Sequence, residues 1–388
     1  MVGKEEIVGA VDRLAGTLTA TGRFLHLHPE LAYEERESAR HLISLLKAHH
    51  FDVIEGAGGL PTAFIASAGV DRPSATIAFL AEYDALPSLG HACGHNLIAA
   101  GSVGAALALQ PFLDRLHGRV LVVGCPAEEK GGGKIALVKS GLFADVDAAL
   151  LIHPSNRTEI FKGALAMRAL QVEFFGKASH AAASPHLGIN ALDAVVLAFT
   201  NVNALRQQLR DDARIHGIIS DGGIAPNIIP DHTVARFCIR ALDLEYLHDL
   251  YGRVVACFEA AARATGTTLT VRDEGEEYHP MKCNRVLGAL LRVNLETLGE
   301  RIEQTPEDQH LGSTDVGNVS QVVPTIHPTI ALTDNPEVVN HSAAFAEAAG
   351  GPAGDRAMLL SAKALAMTAV DLFTDPTHVR QIQTEFEP

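Results

Sequence analysis

Three short apolar runs, each followed at once by polar residues, constrain the fold of this chain more than any other feature. The runs cover residues 75–81, 120–125 and 148–152, and segments with helical patterning lie between them. Buried strands that alternate with helices are typical of a parallel sheet with helices on its faces. The pattern therefore predicts an α/β domain with a mostly parallel sheet.

Carboxylates and an imidazole stand at the ends of these runs. Glu82 and Asp84 follow the first run, Glu128 and Glu129 the second, and His153 the third. Because the carboxyl ends of parallel strands meet at one edge of a sheet, we expect these side chains to share a crevice. Adjacent carboxylates usually form a solvated surface, but at a strand end one can bind a metal while the other moves protons.

Cys93 and His95 lie in a tight turn at the N-terminus of residues 94–109, an Ala-, Leu- and Gly-rich segment that we predict to be a buried helix. Thiolate and imidazole bind borderline divalent ions such as zinc. The same pair would suit a thiol nucleophile, because a helix N-terminus lowers a thiol pKa. A thiol mechanism does not need two adjacent carboxylates, so the residues together favour a metallohydrolase.

A second domain is predicted within the first. A chain of 388 residues is long enough for two domains. From residue 167 the patterning predicts strand, helix, two strands, helix and strand, the order of a ferredoxin-like α+β sandwich. We therefore predict a discontinuous metal-binding domain, residues 1–166 and 275–388, with an inserted domain over residues 167–274.

Composition and charge exclude several classes of partner. A formal net charge of −15 disfavours nucleic acid and anionic membranes, which need basic surface. No apolar run approaches the ~20 residues that span a bilayer, and the N-terminus lacks a signal-peptide pattern. The five cysteines form no CxxC pair, which fits reduced thiols. We expect a cytoplasmic protein.

The chain resembles the M-twenty metallopeptidase family of aminoacylases, carboxypeptidases and amidohydrolases. Short segments spread over nearly the whole chain carry the resemblance: His28-Pro29-Glu30-Leu31, Tyr83-Asp84-Ala85-Leu86-Pro87, His91-Ala92-Cys93-Gly94-His95-Asn96, Pro126-Ala127-Glu128-Glu129, Ser179-His180-Ala181-Ala182, Asn227-Ile228-Ile229-Pro230, Gly312-Ser313-Thr314-Asp315 and Asn340-His341-Ser342. Glu82-Tyr83-Asp84, where Ala-Asp-Met-Asp is commoner, and Asn96, where Asp is commoner, resemble one branch. That branch contains p-aminobenzoyl-glutamate hydrolase subunits and β-alanyl-dipeptide hydrolases.

This resemblance implies a centre with two divalent metal ions, zinc or manganese, with cobalt also suitable. It implies Glu128 as general base and Asp84 as the partner of a metal-binding imidazole. The implied metal ligands are Cys93, His95, Glu129, His153 and His341.

The resemblance also gives the inserted domain a role in dimerisation and as a lid, so we expect a homodimer. His180 and Asn227 on that domain resemble family residues that reach the substrate, partly across the dimer. His180 would donate a hydrogen bond to the tetrahedral oxyanion. Asn227 and Arg240 would hold the amino-acid carboxylate, although a structural ion pair is an equal interpretation for Arg240.

The expected reaction is hydrolysis of the amide bond of an N-acyl amino acid or small dipeptide by metal-activated water. Three alternatives stay open: a thiol hydrolase that uses Cys93, a metal-dependent acyltransferase, and a non-catalytic or partner-dependent subunit of a two-component amidohydrolase. The complete ligand set and Glu128 argue against a non-catalytic subunit.

Overall fold

The computed structural model describes residues 2–304 and 311–387, and the chain divides into two compact units. Unit 1 contains Met1–Gly163 and Met281–Pro388, and unit 2 is Ala164–Pro280. The boundaries predicted from the sequence lie at 166/167 and 274/275.

The first part of unit 1 alternates helices and strands. Its elements are α1 (Lys4–Leu27), α2 (Arg36–Ala48), β1 (Asp52–Glu55), β2 (Phe64–Gly69), β3 (Thr76–Glu82), α3 (His95–Leu109), α4 (Leu113–Leu116), β4 (Arg119–Cys125), α5 (Gly133–Lys139), β5 (Ala148–Leu150) and β6 (His153–Ser155). The three apolar runs therefore form β3, β4 and β5.

Unit 2 follows, and the chain then returns to unit 1. Unit 2 contains β7 (Ala166–Phe175), α6 (Ala191–Arg206), β8 (Arg214–Asp221), β9 (His232–Ala241), α7 (Leu244–Thr265) and β10 (Thr268–Asp273). The last part of unit 1 contains α8 (Arg285–Thr297), α9 (Val316–Val319), β11 (Thr325–Ile326), β12 (Thr329–Ala331), α10 (Ala343–Ala349), α11 (Pro352–Thr374) and α12 (Pro376–Phe386).

The main sheet of unit 1 has the strand order β1-β2-β4-β3-β5-β11. The four strands β4, β3, β5 and β11 are parallel, whereas β2 is antiparallel to both β1 and β4. The predicted mostly parallel α/β fold is confirmed. The carboxyl ends of β3 and β4 lie side by side, because Glu82 pairs in register with Cys125.

The apolar helix α3 lies at the centre of unit 1, with every residue buried. Small residues let neighbouring helices approach it closely: a Cβ added at Gly104 would lie 2.6 Å from Leu18 of α1. Asn96, in its first turn, donates hydrogen bonds to the carbonyls of Gly22 and Ala349, both at 3.2 Å. The start of α3 is thereby fixed relative to α1 and α10.

Two helical stretches, His95–Leu116 and Pro352–Thr374, are long and apolar enough to cross a membrane by length and composition alone. However, most of each stretch is buried inside the protein. Both stretches are core helices of unit 1.

The apolar segment 325–332 resembles one further strand of the α/β sheet in its sequence, but the structure differs from that prediction. It forms two strands in two sheets, since β11 extends the main sheet while β12 pairs with β6. Pro328 lies between the two strands and has no N–H to donate to a neighbouring strand. Its carbonyl accepts the N–H of His153 at 2.9 Å.

His153 follows the third apolar run and is itself followed by Pro154, a sequence that predicts the end of a strand, but in the structure His153 begins the new strand β6. Pro154 is tolerated within β6 because β6 is an edge strand of a two-stranded sheet.

Unit 2 is a four-stranded antiparallel sheet with the order β10-β7-β9-β8. This order is that of the predicted ferredoxin-like sandwich. The side chains of α6 and α7 form its core with the sheet, where Phe237 of β9 lies 4.7 Å from Phe199 and 4.9 Å from Phe258 between ring centroids. Asp243 caps α7 by accepting the N–H of Tyr246.

Candidate metal centre

His95 stands at the first position of α3, and its ring is held by Asp84. Gly94, with φ +80°, allows the sharp turn that brings Cys93 and His95 together. Nδ1 of His95 lies 2.9 Å from both the carbonyl and a carboxylate oxygen of Asp84. Both are acceptors, so Nδ1 carries the proton and Nε2 keeps a lone pair for a cation.

Three carboxylates surround Nε2 of His95. Oxygens of Glu82, Glu128 and Glu129 lie 3.7, 3.8 and 3.9 Å from it. The ring is fully buried, and within residues 2–304 and 311–387 this nitrogen has no hydrogen-bond partner. A buried nitrogen without a partner that faces carboxylates fits a site for a cation.

Cys93 and His153 extend the cluster on its other side. Sγ of Cys93 lies 3.5 Å from Nε2 of His153. Nδ1 of His153 lies 2.7 Å from the carbonyl of Pro154, so Nδ1 carries the proton and Nε2 can accept a metal.

His341 reaches the same place from the loop before α10. It has φ +66°, and its N–H donates to the carbonyl of Ala92 at 2.8 Å. Nε2 of His341 lies 3.4 Å from a carboxylate oxygen of Glu129. A bulky residue rarely adopts positive φ, and here the backbone hydrogen bond to the Cys93 turn holds it there.

The predicted ligands therefore meet in one cluster of unit 1. Three overlapping groups have donor atoms within 4.8 Å of one another: Cys93, His95 and His153; Cys93, Glu129 and His341; and His95, Glu128 and Glu129. Sulfur, nitrogen and oxygen donors in such groups suit a borderline divalent metal ion.

The two adjacent glutamates have opposite acidities. Burial, together with the charges of Glu82 and Asp315, raises the pKa of Glu128 well above its usual value. Burial also acts on Glu129, but its hydrogen bond with His341 and the charge of His95 lower its pKa. Glu129 is thus suited to bind a metal as a carboxylate, and Glu128 to accept and release a proton.

Burial raises the pKa of Cys93 to about 12. The thiol is therefore protonated at neutral pH unless a bound cation favours the thiolate. The environment of Cys93 thus differs from that of a thiol nucleophile, whose pKa is lowered.

The loop that carries the glutamates is held from two sides. Oδ2 of Asp84 accepts the N–H of Glu129 at 2.9 Å. Oε1 of Glu35 accepts the N–H of Ala127, which has φ +60°, also at 2.9 Å. Burial raises the pKa of Glu35 to about 7. These contacts position Glu128 and Glu129 at the end of β4.

Sequence reasoning gave no role to three buried residues beside the centre. Lys134 forms ion pairs with Glu82 and Asp315, both at 2.7 Å. The ring of His327 lies 5.4 Å from that of His153, between centroids. Asp315 was noted only within a family segment, and a single Lys after a Gly-rich loop gives no signal of its own.

The predicted substrate residues lie in unit 2. His180 and Asn227 are neighbours and exposed, since Ala181 donates its N–H to the carbonyl of Asn227 at 3.0 Å. Nδ1 of His180 accepts the N–H groups of Ala182 and Ala183, at 3.2 and 3.1 Å. The proton of a neutral His180 therefore stands on Nε2.

Arg240 lies at the other end of the unit 2 sheet. In β9 it pairs with Met167 at the start of β7, whereas His180 follows the end of β7 at Phe175. Eight residues of strand correspond to roughly 27 Å. Arg240 and His180 of the same unit therefore cannot hold one small substrate together.

Comparison with known proteins decides the family. A sequence profile described as "Peptidase family M20/M25/M40" matches residues 78–352. A Mus musculus protein named "Xaa-Arg dipeptidase" is 41% identical over 400 aligned positions, covering 99% of this chain and 92% of that protein. The chain belongs to the M20/M25/M40 peptidase family. It is a hydrolase, as the sequence predicted.

Two further members of this family are informative. An Escherichia coli K12 protein, named as one of the subunits of p-aminobenzoyl-glutamate hydrolase, is 41% identical over 270 positions, which cover 63% of this chain and 55% of that protein. A structure described as a dinuclear metal binding peptidase of the M20 family, from Bacillus subtilis, has a TM-score of 0.72 at 20% identity, covering 94% of this chain and 99% of that one. This structural likeness confirms the fold.

Replacement of Asp84 by Asn is expected to weaken metal binding by about 10–100-fold, the usual effect of losing the partner of a ligand. An amide has one acceptor oxygen, so the Nδ1–H of His95 or the N–H of Glu129 would lose its side-chain partner. Equilibrium dialysis with Zn²⁺ measures the change, and the exposed Asp145→Asn variant serves as control. Unchanged binding in Asp84→Asn would contradict this role.

Proposed function

We propose that this chain hydrolyses the amide bond of a dipeptide or N-acyl amino acid with the help of two divalent metal ions. The observation that carries the proposal is the position of two adjacent glutamates of opposite acidity at a buried imidazole nitrogen, within reach of Cys93, His153 and His341. Zinc, manganese and cobalt all suit these donors.

The chemistry requires both the metals and Glu128. When bound, the ions lower the pKa of a coordinated water toward ~7 and polarise the scissile carbonyl. Glu128 accepts the proton of the attacking water and passes it to the leaving amine. Burial of Glu128 raises its pKa and so stabilises its protonated form, which exists between the two proton transfers. Glu129 stays ionised and keeps its oxygens for the metal.

The substrate proposal follows the names of the relatives. The mouse relative matched over nearly the whole chain is named for Xaa-Arg dipeptides, and the bacterial one for p-aminobenzoyl-glutamate. We propose a dipeptide with C-terminal arginine as the first substrate to test. The cytoplasmic location stays a prediction.

Metal removal tests the proposed function directly. The full chain, stripped of metal, is assayed with Xaa-Arg dipeptides, β-alanyl dipeptides, N-acetyl amino acids and p-aminobenzoyl-glutamate, and the released amine is measured. Activity should be absent and return with Zn²⁺, Mn²⁺ or Co²⁺. Hydrolysis by metal-free enzyme would favour the thiol mechanism. If product formed only with an amine acceptor, the acyltransferase would be favoured, and inactivity with every metal would favour a partner-dependent subunit.

Glu128→Gln should lower kcat by at least ~10²-fold, the scale of acid–base catalysis, while metal content stays at two ions per subunit. The adjacent Glu129→Gln provides the comparison, because it removes a ligand and should lose metal. Elemental analysis and steady-state kinetics of both variants separate the two roles. Near-normal turnover by Glu128→Gln would exclude it as the base.

We also propose a homodimer in which unit 2 of one subunit serves the metals of the other. The edge strand β8 exposes Ile218 (62%) and Ile219 (43%), and such an edge pairs readily with a second copy. His180 presents an Nε2–H that can donate to the oxyanion. If Arg240 and His180 both contact one substrate, they must come from different subunits, because they lie at opposite ends of one sheet.

A mixed dimer tests this arrangement. His180→Ala and Glu128→Gln subunits are each expected to be inactive as homodimers. A heterodimer purified with two different tags contains one site with both wild-type residues, so activity should return toward half of the wild-type level. Inactive heterodimers, or a fully active His180→Ala homodimer, would show that His180 does not act across the dimer.

A further inference from the structure

A buried ammonium group lies between two carboxylates next to the metal centre. Nζ of Lys134 is 2.7 Å from Oε1 of Glu82 and 2.7 Å from Oδ1 of Asp315. The backbone N–H of Lys134 also donates to Oδ2 of Asp315, at 2.9 Å. Both oxygens of Asp315 are thus bound by Lys134, and Asp315 alone provides this lysine with a complete counter-ion.

Glu82 therefore adds a negative charge that Lys134 does not require. All three side chains are fully buried, and one positive charge among two negative ones leaves an excess of one. A buried charge without compensation is strongly unfavourable. Another cation close to Glu82 would compensate it.

The second oxygen of Glu82 indicates where that cation lies. Oε2 is 3.7 Å from Nε2 of His95, the buried nitrogen for which residues 2–304 and 311–387 supply no hydrogen-bond partner. Two atoms that bind one ion, each about 2.1 Å from it, lie roughly 3–4 Å apart. The separation of Oε2 and Nε2 fits a shared ion.

We propose that Glu82 is a further residue of the metal centre, held by Lys134 through Oε1 and facing with Oε2 the ion that His95 binds. The inference rests on the proposed metal-dependent function, and it adds a carboxylate to the five predicted ligands. Glu82 pairs in register with Cys125, three residues before Glu128, so β3 and β4 together place it there. Lys134 is the positioning residue in this arrangement.

Metal titration of Glu82→Gln tests the proposal. The glutamine keeps the size of the side chain and can still accept from Lys134, but it removes the charge from the oxygen that faces His95. Zn²⁺ is titrated into metal-free full-length chain against a competing chelator, and elemental analysis gives the stoichiometry. One ion should bind at least ~10-fold more weakly than in wild type.

The matched control is Asp315→Asn, which removes the same charge from the other partner of Lys134. It should change Zn²⁺ affinity by less than about 3-fold, because both oxygens of Asp315 are bound by Lys134. If Glu82 served only as a counter-ion of Lys134, Glu82→Gln would bind Zn²⁺ like the wild type. That result, or equal losses in both variants, would overturn the proposal.

Two further measurements keep the test decisive. Thermal unfolding of the metal-free proteins separates weaker binding from a damaged fold. If Glu82→Gln does not fold, Glu82→Asp keeps the charge but withdraws the oxygen from His95, and should also weaken binding of one ion. Wild-type chain that binds no Zn²⁺ would refute the proposed function itself, whereas intact wild-type binding with an unaffected Glu82 variant would refute only this inference.

Discussion

The carboxylate of Asp84 is the contact on which the rest of the site depends. One oxygen accepts Nδ1–H of His95 at the start of α3, and the other accepts the N–H of Glu129 at the end of β4. A single side chain thus fixes the tautomer of one predicted ligand and the backbone of another. Because β3 and β4 are adjacent and parallel, their carboxyl ends lie side by side, and Asp84 after β3 reaches the loop after β4. The position of these predicted ligands is therefore a consequence of the sheet.

Charge balance explains how so many ionisable residues around the site can be deeply buried. Lys134 lies among five carboxylates, those of Glu82, Asp84, Glu128, Glu129 and Asp315. Buried carboxylates in this number are stable only with bound cations or shared protons. The raised pKa of Glu128 favours its neutral, protonated form, and Lys134 compensates the charge of Asp315 by an ion pair. Divalent ions would provide the remaining compensation, which links the stability of unit 1 to the proposed chemistry.

Sequence patterns predicted the fold well where one physical signal dominated. The apolar runs gave β3, β4 and β5, and the ferredoxin-like order of unit 2 was correct. The prediction failed over residues 325–332, since apolar character cannot show that a chain leaves one sheet for another at Pro328. Lys134 was missed for a similar reason: its role depends on a carboxylate 52 positions earlier and on Asp315 far later, and a lone lysine gives no periodic signal.

Unit 2 shows a different limit of a single chain. Its backbone fixes the tautomer of His180, yet the ring is exposed and meets no reacting group within that unit. The exposed apolar edge of β8 gives a physical reason for a second copy to bind. Dimerisation would therefore do more than stabilise the protein. It would bring an imidazole donor, already in the correct tautomer, to the candidate metal centre of the partner, where Glu128 is the proposed base.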